Sequence, residues 1–211
     1  MLILPAARRS RLRRTAAAAM TTLVLGALTA CSAAEPAASG RSPASPSAGT
    51  HRLVLPPPPQ AEGFRLDGMW PFFTREELLD KRPYIGDAGD VAVRDAVQAR
   101  YEETEQAEGR KWTRNLIFTG YDAALGADRH RPVVDSVVDG FLKGDTPAHD
   151  AEVPAGPLGG HVRCVGLVEL GSETGMCAWA DGGTVGVVIG ANITAIELEE
   201  ALPAFRAAVE R

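Results

Sequence analysis

The chain has 211 residues, 45% of them hydrophobic, with 22 basic and 27 acidic side chains and a formal net charge of −5. That length accommodates one domain with a sizeable core plus flanking segments. The acidic balance argues against nucleic acid as a partner, because a surface built for phosphates carries the opposite sign.

Residues 1–30 divide into three parts. Arg8, Arg9, Arg11, Arg13 and Arg14 form a positive region without an acidic residue, residues 15–28 are uncharged and largely apolar, and small residues then surround Cys31. This is the pattern of a secretory signal peptide. A membrane-spanning helix needs about 20 apolar residues, and this run is shorter before it turns polar.

Leu28-Thr29-Ala30-Cys31 resembles the lipobox of bacterial lipoproteins. The resemblance implies cleavage before Cys31, a diacylglyceryl thioether on its sulfur and fatty acylation, such as palmitate, of the new amino group. Two or more acyl chains are required for stable attachment, since each buried CH₂ contributes only about 0.8 kcal/mol. The expected location is therefore the extracytoplasmic face of the cell membrane, with the membrane itself a partner through the lipid. The arginine pairs also fit twin-arginine export, although Arg11 stands where that signal prefers an apolar residue. With Cys31 assigned to lipid, Cys164 and Cys177 remain as an even pair in an oxidising compartment and are expected to form a disulfide.

Residues 31–60 are rich in Ala, Ser, Pro and Gly and end in Pro56-Pro57-Pro58-Pro59. Such a segment buries too little apolar surface to offset its ordering entropy, so it reads as a disordered tether whose prolines stiffen its end. His51-Arg52-Leu53-Val54-Leu55 is assigned to this tether rather than to a docked strand. Without the five arginines of the leader, 17 basic residues face 27 acidic ones, a net charge near −10 that keeps an exported domain soluble.

Residues 61–211 form a single expected domain. Thr74-Arg75-Glu76-Glu77 is a capping box that opens a short helix, ended by Pro83. Val93, Val97 and Tyr101 recur at i, i+4 and i+8, which predicts an amphipathic helix over residues 90–108, closed by Gly109. Residues 115–121, NLIFTGY, predict a strand. Val133, Val134, Val137, Val138, Phe141 and Leu142 keep helical spacing over 130–143, and a loop follows through Gly160.

Three strands are predicted at 161–170, 176–180 and 184–190. Asp181-Gly182 between the last two is a hairpin signal. With those residues as the loop tip, Trp179 would lie opposite Thr184 and Cys177 opposite Gly186, whose missing side chain leaves room for the bridge or the indole. Trp179 and Cys177 then share one face. Ala178, Val185, Val187 and Ile189 share the other, so both faces of the hairpin are apolar and need cover. A turn over 171–175 does not set Cys164 opposite Cys177, whereas a turn at Leu170-Gly171 does with a poorer turn sequence; the register is open. A second capping box, Thr194-Ala195-Ile196-Glu197, begins a helix through Leu198, Leu202, Phe205 and Val209, with a kink or two abutting helices at Pro203. The expected fold class is α+β: a mainly antiparallel β-sheet covered by about three helices and stapled by one disulfide.

Gly156-Pro157-Leu158-Gly159-Gly160, then Cys164, then Cys177-Ala178-Trp179-Ala180-Asp181 with Thr184 and Gly186, resembles a pattern in exported and membrane-anchored actinobacterial proteins of unknown function. The resemblance covers roughly residues 116–191. It implies a disulfide-stapled sheet domain outside the membrane and transfers no catalytic residue.

No motif announces a reaction. In Gly171-Ser172-Glu173-Thr174-Gly175 the serine follows glycine directly, so this is not a nucleophile elbow and reads as a turn. His51, His130, His149 and His161 lack metal-ligand spacing, and no cofactor is implied. Trp179 reads as packing on the disulfide, or as a stacking platform for a ligand with Asp181 as its polar partner. Met69-Trp70-Pro71-Phe72-Phe73 reads as a segment packing on the core, or as an exposed partner-binding patch. The expected role is a non-catalytic binding or assembly module at the cell envelope, with an envelope protein or small ligand as its partner. The alternative is an envelope hydrolase whose site gathers His130, His149 or His161 with carboxylates.

Overall fold

In the computed structural model, residues 51–68, 72–86, 91–107, 110–169 and 171–211 are described. The expected signal peptide, Cys31 and most of the expected tether lie outside them, as do Met69, Trp70 and Pro71.

The densest run of strand formers folds into three antiparallel neighbours: β6 (His161–Glu169), β7 (Ser172–Ala180) and β8 (Thr184–Ala191). Glu169 pairs directly with Ser172 and Gly171 takes φ +80°, so Ser172 and Thr174 are strand residues rather than turn residues. That register sets Cys164 opposite Cys177, and the two form a disulfide with their Cα atoms 4.1 Å apart. The tip of the β7–β8 hairpin falls one residue later than expected. Asp181 N–H donates to the Thr184 carbonyl at 3.0 Å, which leaves Gly182-Gly183 as the tip. Trp179 therefore faces Gly186, and Cys177 faces Val188. Each pairing partner is displaced by an even number of residues, so every side chain keeps the face expected for it.

Five more strands complete one sheet: β1 (Gln60–Ala61), β2 (Phe64–Gly68), β3 (Ala92–Ala107), β4 (Arg110–Ala124) and β5 (His149–Glu152). Its order is β1-β2-β3-β4-β8-β7-β6-β5, and all seven neighbouring pairs are antiparallel. The predicted helix at 90–108 is corrected to strand β3. A spacing of four is a multiple of the strand period as well as close to a helical turn, so Val97 and Tyr101 share a face in either state. Pairing with β4 decides between them, and a bulge between Val93 and Asp95 moves Val93 to the opposite side. The predicted loop after residue 143 contains the short edge strand β5.

Helices cover both faces. α1 (Arg75–Lys81) carries the reciprocal capping box of Thr74 and Glu77, and Arg82 closes it in the left-handed conformation. α2 (His130–Leu142) buries Val133, Val134, Val137, Val138 and Leu142 on the sheet face that carries Met176, Ala178, Val185 and Val187. α3 (Ala195–Val209) has the second capping box and buries Leu198, Leu202, Phe205 and Val209 against Tyr101, Phe118, Cys164, Cys177 and Trp179. Pro203 lies inside this one continuous helix, not between two abutting helices. Each fully buried apolar side chain contributes about 1.5–3 kcal/mol, so the two faces together dominate the stability.

The expected tether boundary also moves. Leu53 is buried, and its N–H donates to Asp122 Oδ1 at 2.8 Å. Arg52 N–H donates to the Arg211 carbonyl at 3.0 Å and Val54 N–H to the Val209 carbonyl at 2.8 Å. Residues 51–60 thus belong to the domain. The apolar Leu53 docks because a hydrogen-bonding edge beyond α3 receives the backbone on either side of it.

Candidate ligand-binding cleft

Of the residues singled out in the sequence, Trp179 and Asp181 are the best resolved, and both are enclosed. Trp179 is fully buried, stacked on Phe118 at 6.0 Å with an interplanar angle of 3°. Its Nε1–H donates to Glu210 Oε1, and the Arg206 guanidinium lies 5.5 Å from its ring centroid. The Asp181 carboxylate accepts from the backbone N–H of Gly183 and Thr184, both at 2.8 Å, and from Arg206 Nη2 at 3.2 Å. Glu210 also accepts from Thr184 Oγ1 at 2.8 Å and from Arg206 at 3.2 Å. Two carboxylates therefore share one guanidinium in the interior. Burial, with neighbouring Asp181 adding to it, holds the Glu210 carboxyl above the ordinary glutamate range. The ligand-platform reading of Trp179 and Asp181 is corrected: their polar atoms are spent on the fold, which leaves no face for a ligand.

The histidines are scattered. His130 is buried at the start of α2. His149 Nε2 pairs with Glu199 Oε1 from α3. His161 lies near Arg131, Glu152 and Asp135, and burial lowers its proton affinity below that of an ordinary histidine. Arg163 bonds Asp150 in bidentate fashion at 2.9 and 2.8 Å and reaches Asp135 at 3.1 Å, an ion network that holds the Asp150 carboxyl below the usual range. Among the described residues no hydroxyl or thiol hydrogen-bonds to His149, and no group of three or more His, Cys, Asp or Glu is placed to hold a metal ion. No described helix is long and apolar enough to cross a membrane.

The two clefts lie elsewhere. The first, of about 480 Å³, opens where α2 runs out before the sheet does. Its floor is Leu167 of β6, Thr174 and Met176 of β7, and Val187 and Ile189 of β8. Phe141, Gly140 and Val137 of α2 form one wall; Phe73, Pro83 and Tyr84 form the other. Phe73 and Tyr84 meet edge to face at 6.4 Å, the geometry favoured by the aromatic quadrupole. Burial raises the Tyr84 phenol above the ordinary tyrosine range, and nearby Gln98 and Thr119 offset part of that rise. Lys143 and Asp145 supply the charged rim.

The second cleft, of about 570 Å³, runs beside β3 between Leu55, Pro56, Pro57 and α1, with Phe73 shared between the two. Its sheet edge is guarded. Asp95 Oδ1 accepts the Ala96 N–H at 2.8 Å and is held in turn by Arg75 Nε at 2.7 Å, an arrangement that discourages an added strand.

Of the apolar segment at 69–73, Phe73 is the described residue that enters the clefts, while Phe72 is 54% exposed. None of His130, His149 and His161 lines either cleft. Sequence reasoning missed Tyr84, Lys143 and Asp145. The one signal for the first cleft was Phe141, the last member of the α2 stripe to carry a ring. No family model, no curated protein and no solved structure matches this chain.

Proposed function

We propose that the protein is a lipid-anchored, non-catalytic binding module of the cell envelope, held to the membrane through Cys31 and taking a small apolar ligand in the cleft between α2 and the segments that flank α1. The observation that carries the binding reading is the cleft itself. Leu167, Met176, Ile189, Phe73, Tyr84 and Phe141 surround a space of about 480 Å³. A concave, mainly apolar space of this size with a few polar groups at its rim is the usual form of a small-ligand site. The lipobox and the acidic mature composition support placement outside the membrane.

The binding reading is tested with the soluble domain and an uncharged apolar probe. Toluene titrated against the 13C-labelled methyl group of Met176 is expected to shift that resonance saturably. Ile189→Trp, which fills the cleft, is expected to abolish the shift while leaving the thermal transition in place. A Met176 resonance indifferent to toluene would remove the cleft from consideration.

A further inference from the structure

We propose that the natural ligand of this cleft is a zwitterion with an apolar side chain: a free apolar α-amino acid or a very short apolar peptide. The inference rests on the cleft being the binding site, and deepens it by charge complementarity at the rim. Lys143 and Asp145 stand two residues apart on the turn that closes α2, and both line the cleft. Their backbones are fixed. Lys143 takes φ 50° as the left-handed cap, and its N–H donates to the Asp139 carbonyl at 2.9 Å. Asp145 N–H donates to the Leu142 carbonyl at 2.8 Å. Among the described residues neither side chain has a salt-bridge partner, whereas Arg75, Lys81, Arg131 and Arg163 all do. One cation and one anion thus stand two residues apart on a fixed backbone, both lining an apolar, aromatic-walled space.

A ligand with a single charge would meet one of these groups favourably and the other unfavourably. An ammonium and a carboxylate separated by one carbon atom can face Asp145 and Lys143 together. The side chain on that carbon then enters between Phe73, Tyr84 and Phe141 and over Met176. The Thr174 hydroxyl on the floor adds one hydrogen-bonding group beside the apolar side chain.

The test is a set of titrations read by calorimetry and by the Met176 methyl resonance. L-Leucine and L-phenylalanine are compared with N-acetyl-L-leucine, which lacks the ammonium, L-leucinamide, which lacks the carboxylate, and N-acetyl-L-leucinamide, which lacks both. The free amino acids are expected to bind tightest. Lys143→Gln should weaken L-leucine about fivefold while strengthening the cationic L-leucinamide, and Asp145→Asn should weaken L-leucine about fivefold while strengthening the anionic N-acetyl-L-leucine. Equal binding of L-leucine and N-acetyl-L-leucinamide, or no effect of either variant, would overturn the proposal. Toluene moving Met176 while L-leucine does not would overturn the zwitterion and keep the cleft. Silence of both probes would overturn the two readings together.

Discussion

Trp179 donates its indole N–H to the carboxylate of Glu210, thirty-one residues further along the chain, and this bond ties the centre of the sheet to the end of α3. The same carboxylate receives Thr184 and Arg206, and the backbone around Glu210 receives the strand at residues 52–54. One buried acid therefore holds together β7, β8, α3 and the segment that enters the domain. Removing it leaves the buried indole N–H without an acceptor and leaves Asp181 alone to serve the Thr184 hydroxyl and Arg206 Nη2. Glu210→Ala is expected to destabilise the domain by about 3 kcal/mol in denaturant titration.

The same group sets a pH dependence. The folded domain holds the Glu210 proton more tightly than the unfolded chain does, because burial disfavours the carboxylate. As pH rises above the ordinary glutamate range, the unfolded chain releases its proton first. The stability contributed by the neutral group is then lost until the folded carboxyl ionises as well. Stability measured from that range upward should decline more steeply for the native chain than for Glu210→Gln, which has no proton there to lose. Parallel curves would show that Glu210 titrates normally.

Gly186 is fixed by the indole opposite it. A Cβ built there would stand 2.0 Å from Trp179 Cζ2, so the ring must move or the strands must part. Gly186→Ala should cost about 1–3 kcal/mol and change the near-ultraviolet circular dichroism of the tryptophan. A variant as stable as the native chain with an unchanged spectrum would contradict this packing.

The Cys164–Cys177 bond joins directly opposed residues of β6 and β7, separated by 13 positions in sequence. The chain-entropy account assigns such a loop up to about 3 kcal/mol. Replacing both cysteines with Ala should lower the unfolding midpoint by that amount while retaining the far-ultraviolet spectrum, since the sheet on either side is independently packed.

Much of this fold was legible locally. Both capping boxes, the α2 stripe and the three strands around the disulfide are each specified by residues close together in sequence, and each forms, although β7 begins at Ser172 inside the expected turn and its hairpin tip is displaced by one residue. What failed depended on partners far away. Val97 and Tyr101 fit either period until β4 pairs with them, and Leu53 looks like tether until Asp122 and the residues after α3 receive it. The cleft was less legible still. Its walls come from segments around residues 73–84 and 137–145, and what makes it a cavity is the helix ending short of the sheet, a relation no motif encodes. Trp179 and Asp181 were rightly noticed as chemically unusual. Their role proved to be internal satisfaction of buried polar groups, which from sequence resembles a binding site because both need polar side chains beside an aromatic ring.

Every functional reading depends on the domain being carried outside the membrane on Cys31. The most direct measurement is the intact mass of the protein extracted from the membrane fraction of its own cells. The predicted mass begins at Cys31, includes the diacylglyceryl group and an added acyl chain, and is replaced in a Cys31→Ser variant by an unacylated species released from the membrane or retained with its leader. A full-length, unacylated mass for the native protein, or equal membrane retention of the variant, would contradict the account.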